Sequence, residues 1–261
     1  MIRTAALPPG LAAPAGVGLI VLGVAGAALA LLSAGEAGGW LSHGVRPERW
    51  STLAWIILFL ASWTLMTGAM MLPSSLPFLQ AVHRVGGAAA STAAGTAFSV
   101  MWLAVGVLQC LLLWAAGGML ARLAPEQAEQ LAGASLLAAA LYQVSPLAAA
   151  CQRACAQPFA ILARHWHGVG SQRRDALAAG LHYGLSCVGC CLPMIVVMFV
   201  VGVHDPAWIF GMALLMGLQK HATWGVLIAR PAAVALTVAG VAIGGGWWVV
   251  PLPTFRALCG A

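Results

Sequence analysis

The sequence predicts an all-α fold, a polytopic bundle of transmembrane helices. Three observations predict it. Apolar residues make up 62% of the chain and charged residues 7%, where a soluble domain carries about 25% charged residues. Mean hydropathy is +0.94. Long uncharged runs recur along the sequence, and a membrane span needs roughly 20 apolar residues. A chain of 261 residues cannot bury this much apolar surface in one core, so lipid must cover part of it. Residues 1–261 read as a single integral membrane unit, with no separate soluble domain, internal repeat or low-complexity block.

About seven spans are predicted, in order. The first covers about Ala15–Ser33, an apolar run too long for a cleaved signal and followed by further spans. The second covers about Thr52–Leu72 and the third about Ala93–Gly117. The fourth, about Gln130–Ala150, is alanine-rich and flanked by polar groups. The fifth, about Ala178–Val203, contains the stretch "CVGCC". The sixth runs from Pro206 to Gln219 and is short for a crossing; without it the count is six. Lys220 follows it and is expected near an interface, where its stem can snorkel. The alternative is one longer segment, Pro206–Ala229, with Lys220 buried at a cost. The seventh covers about Pro231–Val250.

Loop charges orient this chain. Alternate loops, starting with the N-terminus, hold eight basic residues and the others hold four. The excess of basic residues predicts a cytoplasmic N-terminus, a cytoplasmic 151–177 loop and an exterior C-terminus. The location expected is the bacterial inner membrane, with lipid as the surrounding partner. The net charge of +6 is explained by these loops. No aromatic-rich basic patch of the nucleic-acid-binding kind accompanies it, so no nucleic-acid partner is expected.

Seven cysteines are present, an odd number with most of them clustered. That argues for ligands or redox thiols and against an extracellular disulfide framework. Cys187, Cys190 and Cys191 are spaced to share one helix face. Met194, Met198 and Tyr183 fall within the same arc of roughly 100°, while His182 points to the far side. Pro193 cannot donate its backbone hydrogen bond, so a kink is expected one turn earlier, near Gly189. Cys151 and Cys155 form a second pair, at the cytoplasmic end of the fourth span, with Arg153 between them and Pro158 stopping any helix. In the second span, Met66 and Met70 lie four apart ahead of Pro73. Each methionine or cysteine alone is ordinary core material. Three thiols in five residues with two in-line thioethers are more than that. Thiolates with thioethers suit Cu(I), whereas four cysteines alone would suit zinc, which stays the second choice of metal. A bis-thiolate Cu(I) complex is anionic and costly in lipid, and Arg153 is expected to offset that charge from the loop.

The stretches "MMLPSSLPF" (Met70–Phe78), "YQVSPLAAACQRACAQPF" (Tyr142–Phe159), "GLHYGLSCVGCCLPMIVVMFVVGV" (Gly180–Val203) and "LLMGLQKHA" (Leu214–Ala222) resemble a bacterial family of metal-binding integral membrane proteins. That family is a domain of unknown function whose members are often labelled membrane copper chaperones. The resemblance covers about residues 52–221. It implies metal ligation by Cys151, Cys155, Cys187, Cys190 and Cys191, with Met70 and Met71. The family usually has a glutamate where this chain has Gln219 and a large aromatic where it has Leu192, so a charge pair at Lys220 is not implied here.

The function expected is Cu(I) binding for storage or transfer, exchanging with a copper enzyme or a soluble copper carrier and catalysing no reaction. Met194 is then a further ligand and Cys151–Cys155 the pair where copper arrives. The rival reading is thiol–disulfide exchange through Cys187 and Cys190, a C-x-x-C pair. A third is a structural subunit of a membrane complex. No hydrolase constellation or nucleotide-binding loop is present. His165 and His167, and Trp247 and Trp248, read as residues of the membrane interface.

Overall fold

A computed structural model of the chain describes residues 51–120, 122–167, 171–201, 214–220 and 225–247. Every regular element among the described residues is helical. The elements are α1 (Thr52–Leu120), α2 (Pro125–Gln143), α3 (Pro146–Ala156), α4 (Pro158–His165), α5 (Gln172–Val201) and α6 (Gly225–Gly244). Residues 214–220 form a further helical stretch.

A straight helix of the 69 residues of α1 would run about 100 Å at 1.5 Å per residue, three bilayer cores deep. It does not run straight. Gly87 has φ 74° and ψ −170°, a region essentially restricted to glycine, and there α1 folds back on itself. Trp63 Nε1 donates to the Trp102 carbonyl at 2.9 Å and Ser91 Oγ to the Leu79 carbonyl at 3.1 Å. The Trp63 and Trp102 rings lie 6.4 Å apart. These contacts pair the arm before Gly87 with the arm after it, antiparallel. The second and third predicted spans are therefore the two arms of a helical hairpin.

The fourth predicted span is broken. α2 ends at Gln143, and α3 begins after a bend of 62°. Pro146 supplies no N–H and suits the first turn of a new helix. Ser145 caps that turn, its Oγ accepting from Ala148 N at 3.1 Å. Gln157 then ends α3, and Pro158 opens α4 just as Pro146 opens α3. The proline thus restarts the chain as a helix, where the sequence reading had it only as a stop.

α5 packs against the hairpin and against α2, α3 and α4, while α6 packs along α2. At the α2–α6 crossing a Cβ on Gly133 would lie 2.6 Å from the Gly240 carbonyl oxygen. Small residues let the two backbones meet, as membrane helices do. The outward faces are apolar: Leu108, Leu111, Leu112 and Trp114 on the second arm and Val234 and Val238 on α6 are all exposed. Such faces belong against lipid.

Among the described residues four helices are long and apolar enough to cross a membrane, or five if the bent α2–α3 pair counts as one span. The count of about seven is not confirmed. The first predicted span, residues 15–33, and residues 206–213 of the sixth lie outside the described residues. The seventh corresponds to α6, which begins earlier, at Gly225, and carries Pro231 inside it.

Candidate metal centre

α5 carries Cys187, Cys190 and Cys191 on the face it turns inward, with Tyr183 and Met194. All five are buried. Pro193 lies within the helix, which continues to Val201. Its missing N–H leaves the Gly189 carbonyl, four residues back, without its helical donor. The Tyr142 hydroxyl donates to that carbonyl at 2.9 Å. The carbonyl freed by Pro193 is thus bonded from α2. Gly189 has a second use. A Cβ there would lie 2.5 Å from Cys151 Sγ, so only glycine lets α3 come this close to α5.

The two cysteine groups meet. Cys155 Sγ of α3 lies 3.6 Å from Cys190 Sγ, and Cys190 Sγ lies 3.6 Å from Cys191 Sγ. The first arm of α1 contributes Met71, whose Sδ is 4.0 Å from Cys187 Sγ and 3.9 Å from Cys191 Sγ. Cys190 Sγ also donates to the Cys187 carbonyl at 3.2 Å. Cys155, Cys187, Cys190, Cys191 and Met71 are each 5% exposed or less. Cys151 stands apart: it is half-buried, and its Sγ rests against the Gly189 backbone. Met70 and Met194 are buried in the same core, but the sulfur contact to the thiols is made by Met71. Met198 has no described side chain.

Tyr183 anchors the floor of the cluster. Its ring stacks on Phe78 at 4.3 Å and its hydroxyl donates to the Ser74 carbonyl at 3.3 Å. Ser74 Oγ in turn donates to the Met71 carbonyl at 3.0 Å. The "MMLPSS" turn of α1 is thereby locked against the thiol face of α5.

Two charge expectations are corrected. Arg153 is exposed; on α3 it lies between Gln152 and Cys155, which point inward, and the periodicity of the helix turns it out. Lys220, expected at an interface, is buried at 4% exposure. Its Nζ lies 3.1 Å from Cys187 Sγ, 3.2 Å from Ser74 Oγ and 3.9 Å from Met71 Sδ. The cation beside the thiols is Lys220. Its signal in the sequence was the lone charge in an apolar run; the burial that the alternative reading gave Lys220 is seen, while residues 206–213 and 221–224 of its longer segment lie outside the described residues.

The histidines lie at the other end of α5. His165 Nε2 and His182 Nδ1 are 2.8 Å apart, with the rings edge to face. Burial, and then His182, Arg164 and His167, hold the His165 imidazole below its ordinary value, against an opposing pull from Asp175. His167 is exposed, and its Nδ1 lies 3.5 Å from the Asp175 carboxylate. Trp247 is exposed, while Trp248 lies outside the described residues.

Thiols and a thioether face one another in the cluster, a set that suits a soft ion. The arrangement offers a cluster of thiols with a thioether beside them.

The sequence profile of a family described as PpoB2, copper chaperone, matches residues 60–243. The chain belongs to this copper chaperone family. The matched region takes in Met71, Cys155, Cys187, Cys190, Cys191 and Lys220. No curated protein and no solved structure matches the chain.

Proposed function

We propose that this member of the copper chaperone family binds Cu(I) within the membrane at Cys155, Cys187, Cys190 and Cys191, with Met71 as thioether donor, and passes or stores it. The observation that carries the reading is the contact between Cys155 of α3 and Cys190 of α5, at 3.6 Å. Two thiol groups 35 residues apart are brought together beside a methionine from a third segment. Core packing alone does not require sulfur against sulfur at each of these positions. Thiolate and thioether together favour Cu(I) over zinc. Cys151, half-buried at the edge of the cluster, is the thiol through which copper reaches it. Met70 and Met194 serve as reserve thioethers in the same core. A soluble copper carrier or a copper enzyme is the exchange partner, and the protein itself catalyses no reaction.

The test is copper retention by the purified full chain against a competing Cu(I) chelator. Cys190→Ser should lose at least about tenfold in affinity, because Cys190 touches both Cys155 and Cys191. Met71→Leu should weaken binding less than Cys190→Ser and more than Met194→Leu. Thiol trapping in cells distinguishes the redox alternative. A Cys187–Cys190 disulfide that follows the quinone pool, in protein that holds no copper, overturns the copper reading.

A further inference from the structure

We propose that the outer side of α3 and α4 lines a water-filled groove, running from the Arg173–Arg174 end of the bundle to the depth of the thiols, that admits the soft metal ion as an anionic complex. The groove stands apart from the copper reading; the identity of its passenger rests on that reading and deepens it.

α3 and α4 run antiparallel along α5. Cys151 sits against Gly189, Cys155 Sγ lies 3.6 Å from Cys190 Sγ, His165 Nε2 lies 2.8 Å from His182 Nδ1, and His167 pairs with Asp175. Depth can therefore be read from α5. Its first turn carries Arg173, Arg174 and Asp175, which mark one membrane surface. Gly189 stands roughly 20 Å further along the helix at 1.5 Å per residue, deep in a hydrocarbon core about 30 Å thick. Arg153, on α3 between Cys151 and Cys155, is at that depth, and it is exposed.

Lipid is a poor neighbour for it. An arginine at the centre of a bilayer is costly, and such residues face the bundle interior or a water-filled cavity. Exposure excludes the interior, and both surfaces lie further off than a side chain snorkels. The neighbours agree. Gln157 and Arg164 are exposed on the same side, with Ala156 and Ala160 between them, while Leu147 and Phe159 are exposed at its margins. The chain also breaks between α3 and α4 at the exposed Gln157, and irregular backbone at membrane depth lines water where protein does not cover it. On the inner side, the Gln152 amide nitrogen is buried with no hydrogen-bond partner among the described residues, a group that water reaching this depth would satisfy. The second arm of α1 differs: its Met101 packs against Gly184, and at this depth it turns Val100 and Leu103 outward.

The groove is cationic. α3 and α4 carry Arg153 and Arg164 and no carboxylate, and a guanidinium keeps its charge. Asp175, at the mouth, accepts from the His167 backbone N–H at 3.0 Å. Between low-dielectric walls such a field concentrates anions and repels cations. A bare copper ion is opposed by it. A Cu(I) ion already held by two small thiolates is an anion and is drawn in, to the depth where Cys151 is half-buried on α3.

The experiment places the full chain in lipid nanodiscs and measures labelling by small charged methanethiosulfonates, mapped site by site so that the native cysteines do not interfere. Gln157→Cys and Ala160→Cys should react at least about tenfold faster than Val100→Cys and Leu103→Cys, whose thiols stay un-ionised in lipid. Each reagent is scaled to its rate on a free thiol in water. The anionic reagent should then be favoured over the cationic one at both groove sites, and Arg153→Gln should cut that preference by at least about threefold. Either groove site decides alone if the other variant does not fold. Loading from Cu(I) held by excess mercaptosuccinate, an anionic complex, should slow in Arg153→Gln, while copper retained at equilibrium stays parental. Groove sites that label no faster than the lipid-facing ones overturn the groove and assign this side of α3 and α4 to lipid or to another chain. Labelling without preference for the anion, or loading unchanged in Arg153→Gln, overturns the anionic passenger. A chain that shows the groove but retains no copper sinks the copper reading and leaves the groove standing.

Discussion

Gly189 is where the centre depends most on single atoms. Its carbonyl, released by Pro193, is bonded by Tyr142, and its missing side chain makes room for Cys151. Tyr142→Phe removes the hydroxyl and leaves a carbonyl inside the bundle without its donor. The expected cost is about 1–3 kcal/mol of stability, the penalty for an unpaired buried acceptor, and it is read from the thermal midpoint of the purified protein. Copper content should change less than in the cysteine variants, because the Tyr142 hydroxyl donates to a backbone carbonyl and not to a thiol. A Tyr142→Phe protein as stable as the parent means that the bond to Gly189 contributes nothing. At this scale the sequence was half legible. The helical spacing of Cys187, Cys190 and Cys191 put them on one face, and all three are buried there. Tyr142 and Ser74 were not legible as supports, because each acts on a backbone carbonyl far away in sequence, and side-chain spacing carries no signal for that. Arg153 was chosen as counter-charge for its nearness in sequence to the cysteines; helical phase turns it outward, and Lys220 approaches from a segment 33 residues beyond Cys187.

Among the elements, the hairpin in α1 decides where Met71 sits. Its reversal depends on Gly87, whose positive φ with extended ψ no side chain adopts without strain. Gly87→Val should destabilise the hairpin by about 1–3 kcal/mol. It should also lower copper affinity indirectly, by loosening the arm that holds Met71. Gly86→Ala is no substitute for this test, because a Cβ there would strike the Trp166 ring at 2.3 Å and change packing as well as backbone. Thermal melting of Gly87→Ala and Gly87→Val separates the two causes: both carry a Cβ, so a backbone cause costs them similar amounts. A much larger loss for valine would assign the effect to crowding, although nothing lies within 4 Å of a Cβ at this position. The elements themselves were legible where an apolar run was long, as in α5 and both arms. The break between α2 and α3 was missed because composition stays apolar and alanine-rich across it. The information lies in two residues, Ser145 as cap and Pro146 as first residue of a new helix.

For the whole molecule, the exposed apolar faces and the long apolar helices agree with a membrane protein. We propose that the orientation follows the loop charges, which on seven crossings place eight basic residues on one side against four on the other. Reporter fusions after Gly168 and at Ala261 should report cytoplasm and exterior respectively. A cytoplasmic signal at Ala261 would remove one crossing and reverse the side on which the chain ends. The bundle explains why the thiols need no disulfide. The described cysteines are all free, and four of them, Cys155 of α3 and Cys187, Cys190 and Cys191 of α5, converge at the level of Met71, beside Tyr183, Phe78 and Lys220. What would link fold to the proposed function is this convergence of separate segments on a cluster of thiols and a thioether.

X-ray absorption at the copper edge, on the copper-loaded full chain in detergent, tests that link most directly. The account predicts a first shell of sulfur alone, with the copper and its signal lost together in the Cys187→Ser/Cys190→Ser/Cys191→Ser protein. A first shell of nitrogen or oxygen, or a sulfur shell that survives the loss of those three thiols, would contradict it.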